Sequence, residues 1–247
     1  MHTFFLAPEA WSENPVLDGA EAHHLLRVLR LGPGEEVGLL AGRGREALCR
    51  IVKTTRQTVE LALLNERLHP EPASRVILAA GWGKAARRGW ILEKAVELEA
   101  SALWFWQAER SQFPVPGDIR SNWEGQLIAG AKQCRNPWLP LLRTLPGGVD
   151  ELIAASAACA HKQALVESDY AHQAFLDGNT LGLPGDTVCV VGPEGGFTPR
   201  EVHALEKAGF ATLTMGERIL RWETAAVMAL GLHWWKRQEQ AALAYER

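Results

Sequence analysis

The sequence predicts an α/β chain in which a small β-barrel precedes a larger layered domain, and three observations lead there. From residue 1 to about 68, short apolar runs (EVGLLAG, ALCRIVK, TVELALL) recur about every ten residues, punctuated by GPG at 32–34 and GRG at 42–44. That is the spacing of strands in a small barrel. HPEPAS at 69–74 carries two prolines and reads as a linker, so the division falls between residues 1–70 and 71–247. Beyond it, apolar β-branched runs alternate with helical patterns, which implies a mostly parallel sheet with helices on both faces.

The elements follow in order. One helix interrupts the front strands at 20–30, where Ala22, Leu25, Leu26 and Leu29 share a face and Gly32-Pro33 ends it. RVILAAGW (75–82) opens the second part as a strand. Ile91, Leu92, Ala95, Val96 and Leu98 mark a helix over about 89–100, and ALWFWQ (102–107) is the next strand, its Trp104 and Trp106 assigned to the core. A helix near 121–135, the strands QALVES (163–168) and TVCVVG (187–192), a helix opening at 199, the strand ATLTMG (211–216) and a long last helix beginning near Glu223 or Thr224 complete the series.

Bulk properties narrow the function. A composition 47% hydrophobic and 22% charged is that of an ordinary globular protein. The start, MHTFFLAPEAW, has no basic region and too short an apolar run for a signal peptide, and no stretch of eighteen apolar residues occurs, so a cytoplasmic, membrane-free protein is expected. Cys49, Cys134, Cys159 and Cys189 are scattered without a CxxC pair, which predicts buried thiols and neither metal cluster nor disulfide framework. A net charge of −3 excludes wholesale coating of nucleic acid. Any RNA surface is a local patch, and HHLLRVLR (23–30), GRGR (42–45) and GKAARRGW (83–90) are the candidates.

Two segments carry chemistry. In VCVVGPEGGFTPREV (188–202) a strand runs into Gly192-Pro193-Glu194-Gly195-Gly196, and Thr198 with Glu201 three residues on forms a capping box with Pro199 at the first helical position. The loop therefore lies between the carboxyl end of a strand and the amino end of a helix, where open α/β sheets bind ligands. It matches neither the phosphate loop nor the dinucleotide fingerprint, and Glu194 suits a cation or a ribose hydroxyl better than a phosphate. A plain strand-to-helix turn explains the spacing equally well. In MGERILRWETAA (215–226) two arginines, Arg218 and Arg221, stand with two glutamates, Glu217 and Glu223, between a strand end and a helix start. Such a cluster is costly unless paired or used, and a salt-bridged turn is the plain alternative.

Together, GPEGGFTPRE and MGERILRWETAA resemble the signature of the SPOUT methyltransferases, and specifically the bacterial ribosomal RNA small subunit methyltransferase E family, which methylates N3 of a uridine in 16S rRNA. The resemblance extends over nearly the whole chain: HHLLRVLRLGPGEEV is similar to that family's PUA-like barrel, GKAARRGWILEKAVELEASALWFWQAERSQ to its first strand-helix-strand unit, and QLIAGAKQCRNP to a further family segment. It implies a carboxyl-terminal trefoil knot that gathers ALVES (164–168), GPEGG (192–196) and MGERILR (215–221) around S-adenosylmethionine. The cofactor residues it implies are Leu165 and Glu167; Gly192, Pro193, Glu194, Gly195 and Gly196; Met215, Gly216, Arg218, Ile219 and Leu220; and Thr224. Arg221 is expected to stabilise charge on the uracil, and Glu223 to remove its proton or orient that arginine. For gripping RNA, Arg27, Arg30, Lys84, Arg87, Arg88 and Arg110 are the candidates. The resemblance also implies a homodimer, for which the last helix, with Val227, Leu230, Trp234 and Trp235, offers apolar area. Trp222, Lys132 and CRNP (134–137) depart from the family pattern, Trp222 being the residue to test for base stacking. Action on another rRNA or tRNA position, or a non-catalytic role in ribosome assembly, stays open.

Overall fold

The computed structural model describes residues 1–167 and 174–245, in two compact units: Met1–Glu71 with Leu127–Leu139, and Pro72–Gln126 with Pro140–Arg247. The expected strand QALVES and loop ALVES end at Ser168, which lies outside the described residues.

In the first unit, β1 (Thr3–Phe5), β2 (Val16–Leu17), β3 (Glu36–Leu40), β4 (Arg45–Thr54) and β5 (Val59–Leu68) form a sheet in the order β1-β3-β4-β5-β2. Only β1 and β3 run parallel. Strand alternation turns Ala47, Cys49 and Ile51 inward to meet Phe4, Leu25, Val37, Leu39, Val59 and Leu61. Register shifts at Leu48/Cys49 and Ile51/Lys53 break the β4–β5 ladder, and such bulges bend a strand and sharpen its twist. The helix expected at 20–30 is α1 (Gly19–His23), which passes directly into a wider π-helical turn, His24–Leu29, ended by Arg30 with φ 56°. This winding buries Leu25 and leaves Arg27, Val28 and Arg30 exposed.

Lys132 and CRNP make contacts inside this unit. Lys132 Nζ lies 2.5 Å from Glu21 Oε1, and the other Glu21 oxygen accepts the Phe5 amide at 3.0 Å. Asn136 Oδ1 accepts the Trp138 amide at 2.9 Å, and the Pro137 carbonyl accepts the Gly44 amide at 2.9 Å. Against the expectation of buried thiols, Cys134 is exposed, whereas Cys49, Cys159 and Cys189 are buried; it lies in the last turn of its helix, on the side turned to solvent.

In the second unit, β6 (Val76–Gly81), β7 (Ala102–Trp106), β8 (Leu141–Leu145), β9 (His161–Leu165), β10 (Ala174–Phe175), β11 (Thr187–Val191) and β12 (Ala211–Thr214) build a seven-stranded sheet ordered β10-β12-β9-β11-β6-β7-β8, every pair parallel. Strands β6, β7 and β11 are buried along their whole length, as parallel strands covered on both faces are. The helices are α2 (Ala85–Glu97), α4 (Gly148–Ala155), α5 (Pro199–Lys207) and α6 (Trp222–Tyr245), while α3 (Ser121–Cys134) begins in this unit and from Leu127 onward belongs to the first. Val149 and Leu152 of α4 and Val202 and Leu205 of α5 pack with Trp104, Trp106, Val188 and Val190 of the sheet, while α6 runs against β6, β11 and α2. The register aligns Leu165 with Val191, and again with Leu213. The chain therefore leaves three neighbouring strands side by side at one edge of the sheet.

Three elements of this unit, β8, β10 and α4, are absent from the sequence reading. Strand β8 alternates exposed and half-buried residues between Pro140 and Pro146, and α4 is only 8 residues long. Helix α2 starts at Ala85 rather than near 89, with Lys84 at its N-cap position. Among the described residues no helix is long and apolar enough to cross a membrane.

A buried polar chain ties α6 to the sheet. Gln163 of β9 donates its Nε2 to the Thr180 carbonyl at 2.7 Å, which leaves its Oε1 to accept from His233 Nε2 at 2.9 Å. Burial, with the Arg237 cation nearby, pushes the His233 imidazole down to about 4. In the unfolded chain the same group takes a proton below about 6.5. Between these values the unfolded state holds a proton that the folded state does not, so stability falls on acidification by up to about 3 kcal/mol, while above pH ~6.5 this group adds no pH dependence. Urea unfolding from pH 7 to 4 is expected to show this loss, and His233→Gln, which keeps a donor but does not titrate, is expected to flatten it.

Candidate functional site

The three turns that follow β9, β11 and β12 enclose a cavity of about 350 Å³. Leu165, Val166 and Glu167 form one wall; Val191, Gly192, Pro193, Glu194, Gly196 and Phe197 form a second; Thr214, Met215, Gly216 and Arg218–Trp222 with Ala225 form a third, and Arg87 and Arg110 stand at its edge.

The glycine turn is fixed from several sides. The Gly196 amide donates to the Pro193 carbonyl at 2.9 Å and closes the turn. Thr198 and Glu201 make the expected capping box: Thr198 Oγ1 accepts the Glu201 amide at 3.2 Å and Glu201 Oε2 accepts the Thr198 amide at 2.8 Å. The second Glu201 oxygen accepts the Glu109 amide at 2.8 Å, so one buried carboxylate caps α5 and anchors the loop after β7. The Phe197 ring stacks on Trp106 with centroids 5.8 Å apart, and Trp106 Nε1 donates to the Val191 carbonyl at 3.2 Å. Gly81 at the end of β6 meets the turn backbone to backbone: a Cβ there would strike the Pro193 nitrogen and lie 2.8 Å from the Gly192 carbonyl carbon.

Charge is arranged around Arg87. Its Nη1 donates to Glu223 Oε2 at 3.2 Å and lies 3.5 Å from Glu194 Oε1. One guanidinium thus pins the glycine turn and the first turn of α6. Glu194 Oε1 is nevertheless buried and receives no hydrogen bond among the described residues, and the buried Trp222 Nε1–H finds no acceptor among them. Trp222 is 4% exposed, and its ring lies 3.0 Å from where a Gly83 Cβ would be. That burial rules out an open stacking platform for this residue.

Most of the expected cofactor residues converge here: Leu165, Glu167, Gly192, Pro193, Glu194, Gly196, Met215, Gly216, Arg218, Ile219 and Leu220 all line the cavity, as does Arg221. Gly195, Thr224 and Glu223 do not. The Gly195 carbonyl accepts from Arg110 at 3.1 Å, and Glu223 is held by Arg87 rather than by Arg221. Of the residues expected to grip RNA, Arg27, Arg30, Lys84 and Arg110 are exposed. Arg88 is not available to RNA: it is 8% exposed, its guanidinium lies 3.7 Å over the Trp82 ring, and it donates to the Gly83 carbonyl. The reason is helical phase, since α2 begins early enough to turn Arg88 onto the cluster of Trp82, Phe105 and Trp123. Burial pushes its pKa down. Arg87 and Trp222 line the cavity beyond the cofactor residues that the sequence implies.

Comparison with known proteins bears on this geometry. Residues 69–234 match the family described as RNA methyltransferase domain, and residues 17–64 match RNA methyltransferase PUA domain. The ribosomal RNA small subunit methyltransferase E of Mycobacterium bovis is 33% identical over 227 residues, covering 87% of this chain and 84% of the relative. The chain belongs to this family. A probable rRNA-methyltransferase from Porphyromonas gingivalis superposes with TM-score 0.83 at 28% identity, over 98% of this chain and 100% of the other. The ribosomal RNA small subunit methyltransferase E of Neisseria gonorrhoeae, solved bound to S-adenosyl methionine, superposes with TM-score 0.75 at 28% identity, over 93% and 95%.

Because Glu201 satisfies two backbone amides on separate segments, Glu201→Ala is expected to cost about 1–3 kcal/mol in urea unfolding and to speed hydrogen exchange at the Thr198 and Glu109 amides. A loss under about 0.5 kcal/mol would mean that water or neighbouring groups replace the carboxylate.

Proposed function

We propose that this member of the family is an S-adenosylmethionine-dependent methyltransferase that methylates N3 of a uridine in 16S rRNA of the small ribosomal subunit, acting in the cytoplasm. The single observation that carries the reading is the cavity bounded by three turns from adjacent parallel strands, with a glycine-rich wall and no lysine among its lining residues. The residues suit the cofactor. A cavity of about 350 Å³ is in the range of small-molecule sites, the close backbone approach at Gly81 and Pro193 leaves main-chain groups on the wall, and Glu167 suits ribose hydroxyls and a sulfonium. Met215, Gly216, Ile219 and Leu220 add main-chain and apolar contacts. When bound, the cofactor supplies an electrophilic methyl group whose carbon–sulfur pair leaves with the sulfur.

The protein's part is alignment and charge. Arg221, exposed beside the cavity, stabilises the negative charge that spreads over the uracil carbonyl oxygens as N3 loses its proton. Exposed Arg27 and Arg30 on the front unit and Lys84 and Arg110 on the second hold phosphates, while the target base leaves its stack to reach the cavity. The carboxyl-terminal strands thread as a trefoil knot. The molecule works as a homodimer in which Trp235, 65% exposed, and Met228 on α6 are covered by a second copy.

Calorimetry with S-adenosylmethionine is expected to give micromolar affinity, and mapping of methylated uridines in rRNA from cells with and without the gene is expected to reveal one site lost with the gene. Silence in calorimetry favours an assembly factor without catalysis; a methyl on another atom or RNA refutes the uridine-N3 reading. Arg221→Ala is expected to reduce transfer about 10²–10³-fold with cofactor affinity unchanged.

A further inference from the structure

We infer that Glu194 accepts the N3 proton of the target uracil and that the Trp222 indole N–H holds the carbonyl oxygen beside it, an inference that rests on the uridine-N3 reading above. Two residues that line one cavity carry buried polar atoms of opposite sense, the acceptor Glu194 Oε1 and the donor Trp222 Nε1, and neither atom has a hydrogen-bond partner among the described residues. A buried polar atom without a hydrogen bond is costly, and the Arg87 cation 3.5 Å from Glu194 Oε1 offsets only part of that cost, so a site that keeps both atoms is built to receive a partner for each. The edge they complement has an N–H next to an acceptor. The uracil imide edge is that pattern, N3–H flanked by O2 and O4. Cytosine would set an unprotonated N3 against the carboxylate and be repelled.

The surroundings favour the base over the other candidate with such an edge, the adenine of the cofactor. Trp222 is the first residue of the 24-residue helix α6, whose amino end carries partial positive charge, and Arg221 stands next to it. That field stabilises a group that becomes negative during the reaction, which uracil does and adenine does not. As the N3–H bond breaks, its electron pair stays on N3 for the new bond to carbon, and the proton passes to the Glu194 carboxylate and then to water.

Arg87 acts as a positioning residue. Lying 3.5 Å from Glu194 Oε1 and hydrogen-bonded to Glu223, it fixes the carboxylate while Oε1 stays without a hydrogen bond. Glu223, absent from the cavity wall, serves that lock rather than the proton. Trp222 is fixed in turn by packing on Gly83. Trp222 thus becomes a determinant of base selection.

Single-turnover methylation and indole NMR on the full-length protein with a target-site RNA test this. Glu194→Gln is expected to slow transfer about 10²–10⁴-fold, with S-adenosylmethionine affinity unchanged and a rate that climbs with pH where the wild type levels off. Trp222→Phe, which removes the indole N–H and trims the ring edge that packs on Gly83, is expected to slow transfer about tenfold and to weaken discrimination against RNA carrying cytidine at the target. The Trp222 indole proton resonance, assigned by its absence from Trp222→Phe, is expected to move downfield when RNA joins the complex with S-adenosylhomocysteine, and not with S-adenosylhomocysteine alone. A shift with S-adenosylhomocysteine alone, or loss of cofactor affinity in both variants, assigns the pair to the cofactor and overturns the inference. So does wild-type rate and pH profile in Glu194→Gln while the wild type methylates N3; if the wild type itself leaves N3 unmodified, the underlying reading fails instead.

Discussion

The cavity depends on two backbones meeting without side chains between them. At the end of β6, Gly81 lies against Gly192 and Pro193, so closely that any Cβ would strike the turn. Register pairs Val191 with Ala80 just before the contact, so the strands deliver both segments to the same place. With the turn drawn in at this point, its outer wall faces the exits of β9 and β12, and the pocket is what remains between the three. Parallel pairing is the deeper cause, because only strands that run the same way release their connections at a common edge.

Holding that arrangement takes polar groups working across segments. Glu201 joins the cap of α5 to the loop after β7, Arg87 joins α2 to the glycine turn and to α6, and Gln163 joins β9 to α6 and to the turn at Thr180. Each is a side chain with at least one partner distant in sequence. Such links satisfy buried groups and fix geometry, which matters more for a site that aligns reactants than for net stability.

How much of this the sequence reveals follows from the range of the forces involved. Strand and helix positions with strong periodicity, such as RVILAAGW and ALWFWQ, are readable because the pattern is local, and so is the capping box at Thr198 and Glu201, which spans three residues. Strand β8 is not, because its residues alternate at an edge between prolines. Arg88 looks like surface charge in GKAARRGW; only the true start of α2 reveals that it points at Trp82. The convergence of the three turns comes from family resemblance rather than periodicity, since nothing local announces which loops meet. The Arg87 link to Glu223 joins residues 136 apart in the chain, a separation beyond any motif.

The front unit has a further consequence for how the chain can be divided. Gly42 and Gly44, both at positive φ, accommodate Leu139 and Trp138 so closely that no larger residue fits, and Lys132 neutralises Glu21 from the same distant stretch. A gene fragment ending at the proline-rich junction would therefore encode an incomplete body, missing a wall and a counter-charge that the chain supplies some sixty residues later. Recombination that exchanges the amino-terminal module between relatives must therefore carry residues 127–139 along with it.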